Sequence, residues 1–174
     1  MRRLILLVAL MGCATGTYRD TSIEMESVAR LDLARYEGLW YEIARFPNSF
    51  EEGCTGVTAE YAQRPDGRIG VVNTCRQGAL DGPVEVAEAT ARVVAPGQLK
   101  VKFVQWLPFE GDYWVTYVDE AYSVVAVAEP KGNFGWILAR EPQPAEAAIA
   151  LARAALAADG YDLERLILTE QFAR

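Results

Sequence analysis

The 174-residue chain contains no histidine, and its three cysteines stand at positions 13, 54 and 75. The missing imidazole removes Ser-His-Asp and Cys-His nucleophilic catalysis, His-ligated zinc, proximal-His haem and the zinc-protease helix motif. Three scattered cysteines are too few for an all-cysteine zinc site, so no metal or cofactor is expected. Acid–base chemistry would fall to tyrosines and carboxylates, with Glu42, Glu88 and Asp112 as candidates, and would need two carboxylates close together in a cavity.

Cys13 ends a leader-like segment. Arg2 and Arg3 precede an apolar run, Leu4 to Met11, followed by Gly12 and Cys13. A basic start, a short apolar stretch and a small residue before the cut form a secretion signal. The run is far shorter than the ~20 residues needed to span a bilayer. Leu10-Met11-Gly12-Cys13 resembles a bacterial lipoprotein box. The resemblance implies that residues 1–12 are a removed signal peptide and that Cys13 becomes the lipidated first residue. It also implies sorting by the next residue: Ala14, in place of Asp, points to the outer membrane and its periplasmic side. The other reading is an ordinary apolar N-terminus with a buried cysteine. Residues 13–30 are expected as a tether with little apolar periodicity, and residues 31–174 as the folded domain.

The whole chain carries 17 basic and 24 acidic residues, and loss of Arg2 and Arg3 makes the balance 15 − 24 = −9. So acidic a chain does not suit nucleic acid, whose phosphates are held by clustered Lys and Arg. With 51% apolar residues, the chain has the composition of one globular domain with a sizeable core.

The elements that must position these residues are short strands. Val57, Ala59 and Tyr61 alternate with polar neighbours, and the turn Pro65-Asp66-Gly67 leads into a return strand, 69–74. The long strand 84–94 places Ala87, Ala89 and Ala91 on one face. After Pro96-Gly97, Leu99, Val101 and Phe103 alternate with Lys100 and Lys102. Strands 113–118, 123–128 and 134–139 follow. Eight strands at this spacing predict an all-β sandwich or closed barrel, because long crossovers for a parallel sheet are missing. One helix is predicted after them, with Pro144 at its first position, an alanine-rich body and Gly160 just past its end. Leu166 to Leu168 reads as a short last strand.

Three patches resemble the lipocalin family, over about residues 31 to 172. Gly38-Leu39-Trp40-Tyr41-Glu42-Ile43-Ala44-Arg45-Phe46 is similar to its first-strand signature. Tyr113 to Asp119, with Tyr122, resembles its second motif, and Trp136-Ile137-Leu138-Ala139-Arg140 its third. The loop Trp106 to Asp112 looks like that of the bacterial lipocalins, outer-membrane lipoproteins related to apolipoprotein D. The resemblance implies an eight-stranded antiparallel up-and-down barrel with the helix packed outside. It makes Gly38, Trp40, Asp119, Tyr122 and Arg140 structural, with Arg140 lying across Trp40 at the closed end, and it gives Glu42 a structural role.

It further implies a cavity for one lipid, a fatty acid or lysophospholipid. Val57, Ala59, Tyr61, Leu99, Val101 and Phe103 are expected as apolar walls, with room left by Ala87, Ala89 and Ala91. Trp106, Phe109 and Trp114 are expected to rim the mouth or touch a membrane, or to be buried beneath their loop. The same face could equally be a filled core, which would make the chain a structural envelope lipoprotein. An enzyme on this fold is the least favoured reading, and a homodimer stays open. Cys54 and Cys75 would face an oxidising compartment, where thiols tend to bridge. A strict hairpin through Asp66-Gly67 does not set them opposite, but Gly53 and Gly56 offer a bend; separate thiols are the alternative.

Overall fold

A computed structural model describes residues 17–103 and 106–173. The leader and Cys13 lie outside the described residues. Eight antiparallel strands run in sequence order: β1 (Gly38–Arg45), β2 (Cys54–Gln63), β3 (Ile69–Gln77), β4 (Val84–Ala95), β5 (Gln98–Lys102), β6 (Gly111–Val118), β7 (Val124–Ala128) and β8 (Gly135–Ala139). Each pairs with the next, and β1 pairs with both β2 and β8, so the sheet closes into a barrel with no free edge among these eight. The expected barrel is therefore the one found.

Alternation divides the apolar residues into two layers. Inside, Trp40, Ala59, Tyr61, Val71, Ala89, Ala91, Leu99, Val115 and Val125 pack together. Outside, Val124, Ala126, Ile137 and Ala139 face the helix α2 (Glu146–Ala158), which buries Ala152 and Leu156 against them. This is why β7 is buried along its whole length. The helix begins two residues later than its sequence suggests. Ala145 occupies the N-cap, Pro144 lies before it, and Gly160 takes the left-handed turn beyond the C-cap at φ +88°.

One end is sealed. The short helix α1 (Leu33–Tyr36), capped by the Asp32 carboxylate, lays Tyr36 across the interior. Tyr36 accepts a 2.8 Å bond from the Trp40 indole N–H at its carbonyl. Arg140 donates to the carbonyls of Arg35, Glu37 and Leu39 at 2.7 Å each. Gly38 has φ +92°, a backbone conformation that favours glycine, and the Arg140 guanidinium lies within van der Waals reach of where a Cβ would stand.

At the other end, β1 and β2 pair only from Gly38 to Tyr41 and then separate. The C-terminal segment fills the gap. Its short strand β9 (Ile167–Leu168) pairs with Ala44 and Arg45, and Gly56 donates its N–H to Glu170. Gln171 bridges the carbonyls of Glu42 and Val57 at 2.8 and 2.7 Å. The segment expected as a tether is also fastened down from Thr17 onward. Arg19, almost fully buried, donates to the carbonyls of Asp159, Pro130 and Ile23, and Val28 donates to Val115. These bonds satisfy backbone that apolar periodicity alone would leave as loose chain.

Candidate functional site

The sealed end holds Trp40, Tyr36 and Arg140, so any cavity must open at the opposite end, where the loops 46–53, 78–83, 103–110 and 129–134 lie. A cavity of about 520 Å³ is found there, within the range of small-molecule sites. Its inner end is Tyr61, Tyr113, Val71 and Leu138, side chains shared with the closed core. Val57, Ala59, Ala87 and Val101 form the walls, and Phe50, Phe103, Phe134 and Trp136 surround the opening.

The residues expected to line a cavity thus separate by depth. Val57, Ala59, Tyr61, Ala87, Val101 and Phe103 are brought together around it. Ala89, Ala91 and Leu99 point inward as expected, but deeper, where they are buried in the closed core and line nothing. Their small or branched side chains are covered by Tyr36 and Trp40, which fill the barrel below. The three aromatics expected at the mouth also separate. Trp106 and Phe109 are 83% and 76% exposed on the β5–β6 loop and stand clear of the cavity. Trp114 lies on the outer face of β6, paired with Ala128, because its neighbours Tyr113 and Val115 point inward.

Other lining residues had signals that went unused. Asn73 and Val71 follow from Cys75 by alternation, and Trp136 from Leu138. Phe50 and Phe134 come from loops, where no period predicts direction. Asp119 and Tyr122 sit at the sealed end. The Asp119 carboxylate accepts from the backbone of Ser123 and Val124, and Tyr122 accepts from Asp32 N–H.

Cys54 and Cys75 are bridged, with their Cα atoms 5.4 Å apart. The ladder jumps between Thr55 and Thr58, and Gly56 in that bulge has φ +54°. The one extra residue on β2 brings Cys54 beside Cys75 where a regular hairpin would not. A Cβ at Gly56 would meet Phe172 at 3.1 Å, so the bulge is also where the C-terminal segment approaches.

The polar part of the site centres on Glu42, which is 3% exposed. Its carboxyl accepts from Arg45 at 2.8 Å and from the Thr169 hydroxyl, and it faces Glu51. Burial and the Glu51 carboxyl push Glu42 up to about 8, against the opposing pull of Thr169 and Arg45. Glu51 in turn accepts from the Trp136 indole N–H at 3.1 Å and from the Asn48 amide. Arg45 spends its other donors on Thr169 and on the carbonyls of Glu51 and Cys54. Beneath this cluster the hydroxyls of Tyr36, Tyr113 and Tyr61 form a chain with spacings of 2.6 and 2.8 Å. Burial pushes Tyr61 up to about 12, so it is a neutral phenol.

Buried Glu42 and half-buried Glu51 form a carboxyl pair of the kind that acid–base catalysis requires, but their oxygens are occupied by groups that hold the C-terminal segment and the β1–β2 loop. Of the other acids considered, Glu88 is exposed and Asp112 pairs with Lys100 at 2.6 Å. Among the described residues no cluster of acids, cysteines and histidines suits a metal. No lysine or arginine is among the described residues that line the cavity. A carboxylate or phosphate placed deep inside would therefore have no cationic partner, whereas an apolar chain meets mostly apolar walls.

Comparison with known proteins agrees with this geometry. The model of the lipocalin-like domain matches residues 31–171. The chain is 34% identical to temperature-induced lipocalin-1 of Arabidopsis thaliana over 158 residues, which cover 85% of this chain and 83% of the other. It is 36% identical to the outer membrane lipoprotein Blc of Vibrio cholerae over 151 residues, 84% and 86% of the two chains. Among solved structures, insecticyanin from the tobacco hornworm Manduca sexta superposes with a TM-score of 0.68 at 20% identity, covering 87% of this chain and 86% of that one.

Proposed function

We propose, from the premise that this chain belongs to the lipocalin family, that its cavity carries one long-chain lipid with the tail inward and the head group at the mouth. The observation that carries the reading is the cavity of about 520 Å³, whose walls are mainly apolar and whose described lining residues include no basic side chain. Each buried CH₂ contributes about 0.8 kcal/mol, so an acyl chain can be held by its tail alone. A fatty acid and a lysophospholipid both fit this description. The chain acts as a binding protein and not as an enzyme, and it is anchored by lipidated Cys13 on the periplasmic side of the outer membrane. Similarity to relatives named outer membrane lipoprotein supports the anchor, as does the Gly12-Cys13-Ala14 sequence.

The test is to strip the purified protein of lipid, expose it to a mixed lipid extract and identify what remains bound by mass spectrometry. Retention of single-chain lipids, with a change in Trp136 fluorescence, is the expected result. A protein that retains nothing would instead be a filled-barrel envelope component. Cys13→Ser should release the protein from the membrane fraction, and unchanged retention would refute the anchor.

A further inference from the structure

We infer that the open end of the barrel docks on a zwitterionic lipid surface, with Trp106 and Phe109 as the inserting side chains. This rests in part on the anchor proposed above. Trp106 and Phe109 are 83% and 76% exposed, and Phe50, Val86 and Phe103 are exposed beside the same opening. They come from the β1–β2 and β5–β6 loops and from β4, so the apolar rim is built by separate parts of the chain and not by one stray loop. An exposed apolar patch of this kind marks an interaction site, and tryptophan is the residue best suited to a membrane interface.

The path of the chain decides the occupant. Tyr18 donates its N–H to Gly132 and its hydroxyl to Pro47, both in loops at the open end. The first described residue, Thr17, therefore lies beside the mouth. Cys13 is four residues away, which fully extended is at most ~14 Å of chain. A diacylated Cys13 thus holds the mouth, and not the sealed end, within a short reach of the bilayer. Once one point is tethered, weak insertion of the rim becomes an intramolecular event at high effective concentration.

Charge sets the kind of surface. Of the acids in the four mouth loops, Glu129 is buried and Glu110 accepts from Arg92 at 2.7 Å, while Lys100 pairs with Asp112 at 2.6 Å and Lys102 lies near Glu110, so the charges beside Trp106 and Phe109 are of both signs and largely paired. Paired charges of both signs give neither strong attraction to an anionic bilayer nor strong repulsion from it, so docking relies on apolar insertion, for which a zwitterionic surface suffices, and responds little to salt. Docking in this orientation lets a lipid pass between bilayer and cavity without crossing water.

The test uses the purified full-length mature protein with vesicles of phosphatidylcholine brominated near the top of the acyl chains. The fluorescence of Trp106 is taken as the difference between wild type and Trp106→Phe, which removes the contributions of Trp40, Trp114 and Trp136. Expected are quenching of that difference signal by brominated lipid, protection from aqueous acrylamide, and no enhancement when phosphatidylglycerol is added. The double substitution Trp106→Ser, Phe109→Ser should lower vesicle affinity of any unlipidated fraction by roughly tenfold or more while leaving the far-UV spectrum unchanged. A Trp106 signal quenched by acrylamide alike with and without vesicles overturns the inference. So does a dimer in solution that buries Trp106 and stays off vesicles, because the rim would then be an interface between copies. The mass of Cys13 separates failure of the anchor from failure of docking, since an unlipidated chain must still bring Trp106 into contact at high vesicle concentration.

Discussion

The guanidinium of Arg140 lies 3.8 Å from the centre of the Trp40 ring while donating to three backbone carbonyls from the segment 35–39. One side chain therefore covers the indole and ties α1 and the start of β1 to the end of β8. Trp40 is completely buried, so Trp40→Ala should cost about 3–5 kcal/mol, as truncation of a large core aromatic does. Arg140→Ala should cost less. The double variant should be less destabilised than the sum, because without the indole part of the arginine's role is already lost. Urea unfolding of the four proteins checks this, and strict additivity would show that the two side chains act independently.

The bridge between Cys54 and Cys75 closes a separation of 21 residues. In the chain-entropy account a loop of that size stabilises by about 3 kcal/mol. Reduction should lower the unfolding midpoint accordingly. Its effect should be felt at the mouth, where both cysteines line the cavity, so lipid retention should weaken with it. A midpoint unchanged by reductant would remove the bridge from the stability of the barrel.

Glu42 should make stability fall with rising pH. Its folded value, about 8, lies above the ordinary 4.5. Between those values the folded state keeps a proton that the unfolded state has released, so the stabilising contribution is full below about 4.5 and is lost as pH rises toward 8. The slope is at most ~1.4 kcal/mol per pH unit. Glu42→Gln keeps an oxygen for Arg45 and Thr169 and offers an amide N–H to Glu51, as the protonated acid does. The variant should match wild type near pH 5 and exceed it near pH 8. Unfolding midpoints measured across that range, with parallel curves for the two proteins, would show that Glu42 is ionised throughout.

The barrel was legible because period-2 alternation is a local property. Leu99, Val101, Lys100 and Lys102 announce their faces within five residues. The sealed end was legible through Gly38, Trp40 and Arg140 only by family resemblance, since nothing local in Arg140 says that it will meet Trp40 a hundred residues earlier. Depth along the barrel was not legible. Alternation places Ala87, Ala89 and Ala91 on one inward face but does not say that Tyr36 and Trp40 fill the space beside the last two. The Glu42–Glu51–Thr169 cluster was also hidden, because it joins a strand, a loop and the C-terminal segment. The burial of Arg19 likewise depends on carbonyls far away in sequence.

That difference in depth yields the sharpest prediction for the site. Ala87 lies in the cavity wall, while Ala89, two residues further along the same face of β4, is buried in the closed core. Ala87→Trp should place its ring in the path of the lipid tail, leaving the fold intact because space is available there. Ala89→Trp has no such space, and overpacking should destabilise by about 1–3 kcal/mol or more. Lys100→Ala serves as a control, since Lys100 itself does not line the cavity, although its partner Asp112 does, and it should leave retention of an apolar tail nearly unchanged. Retained lipid measured by mass spectrometry, beside urea unfolding of each variant, separates the two effects. The expected pattern is lost binding with near-normal stability for Ala87→Trp, and lost stability for Ala89→Trp. A folded Ala87→Trp protein that binds lipid as wild type does would place the tail elsewhere than in this cavity.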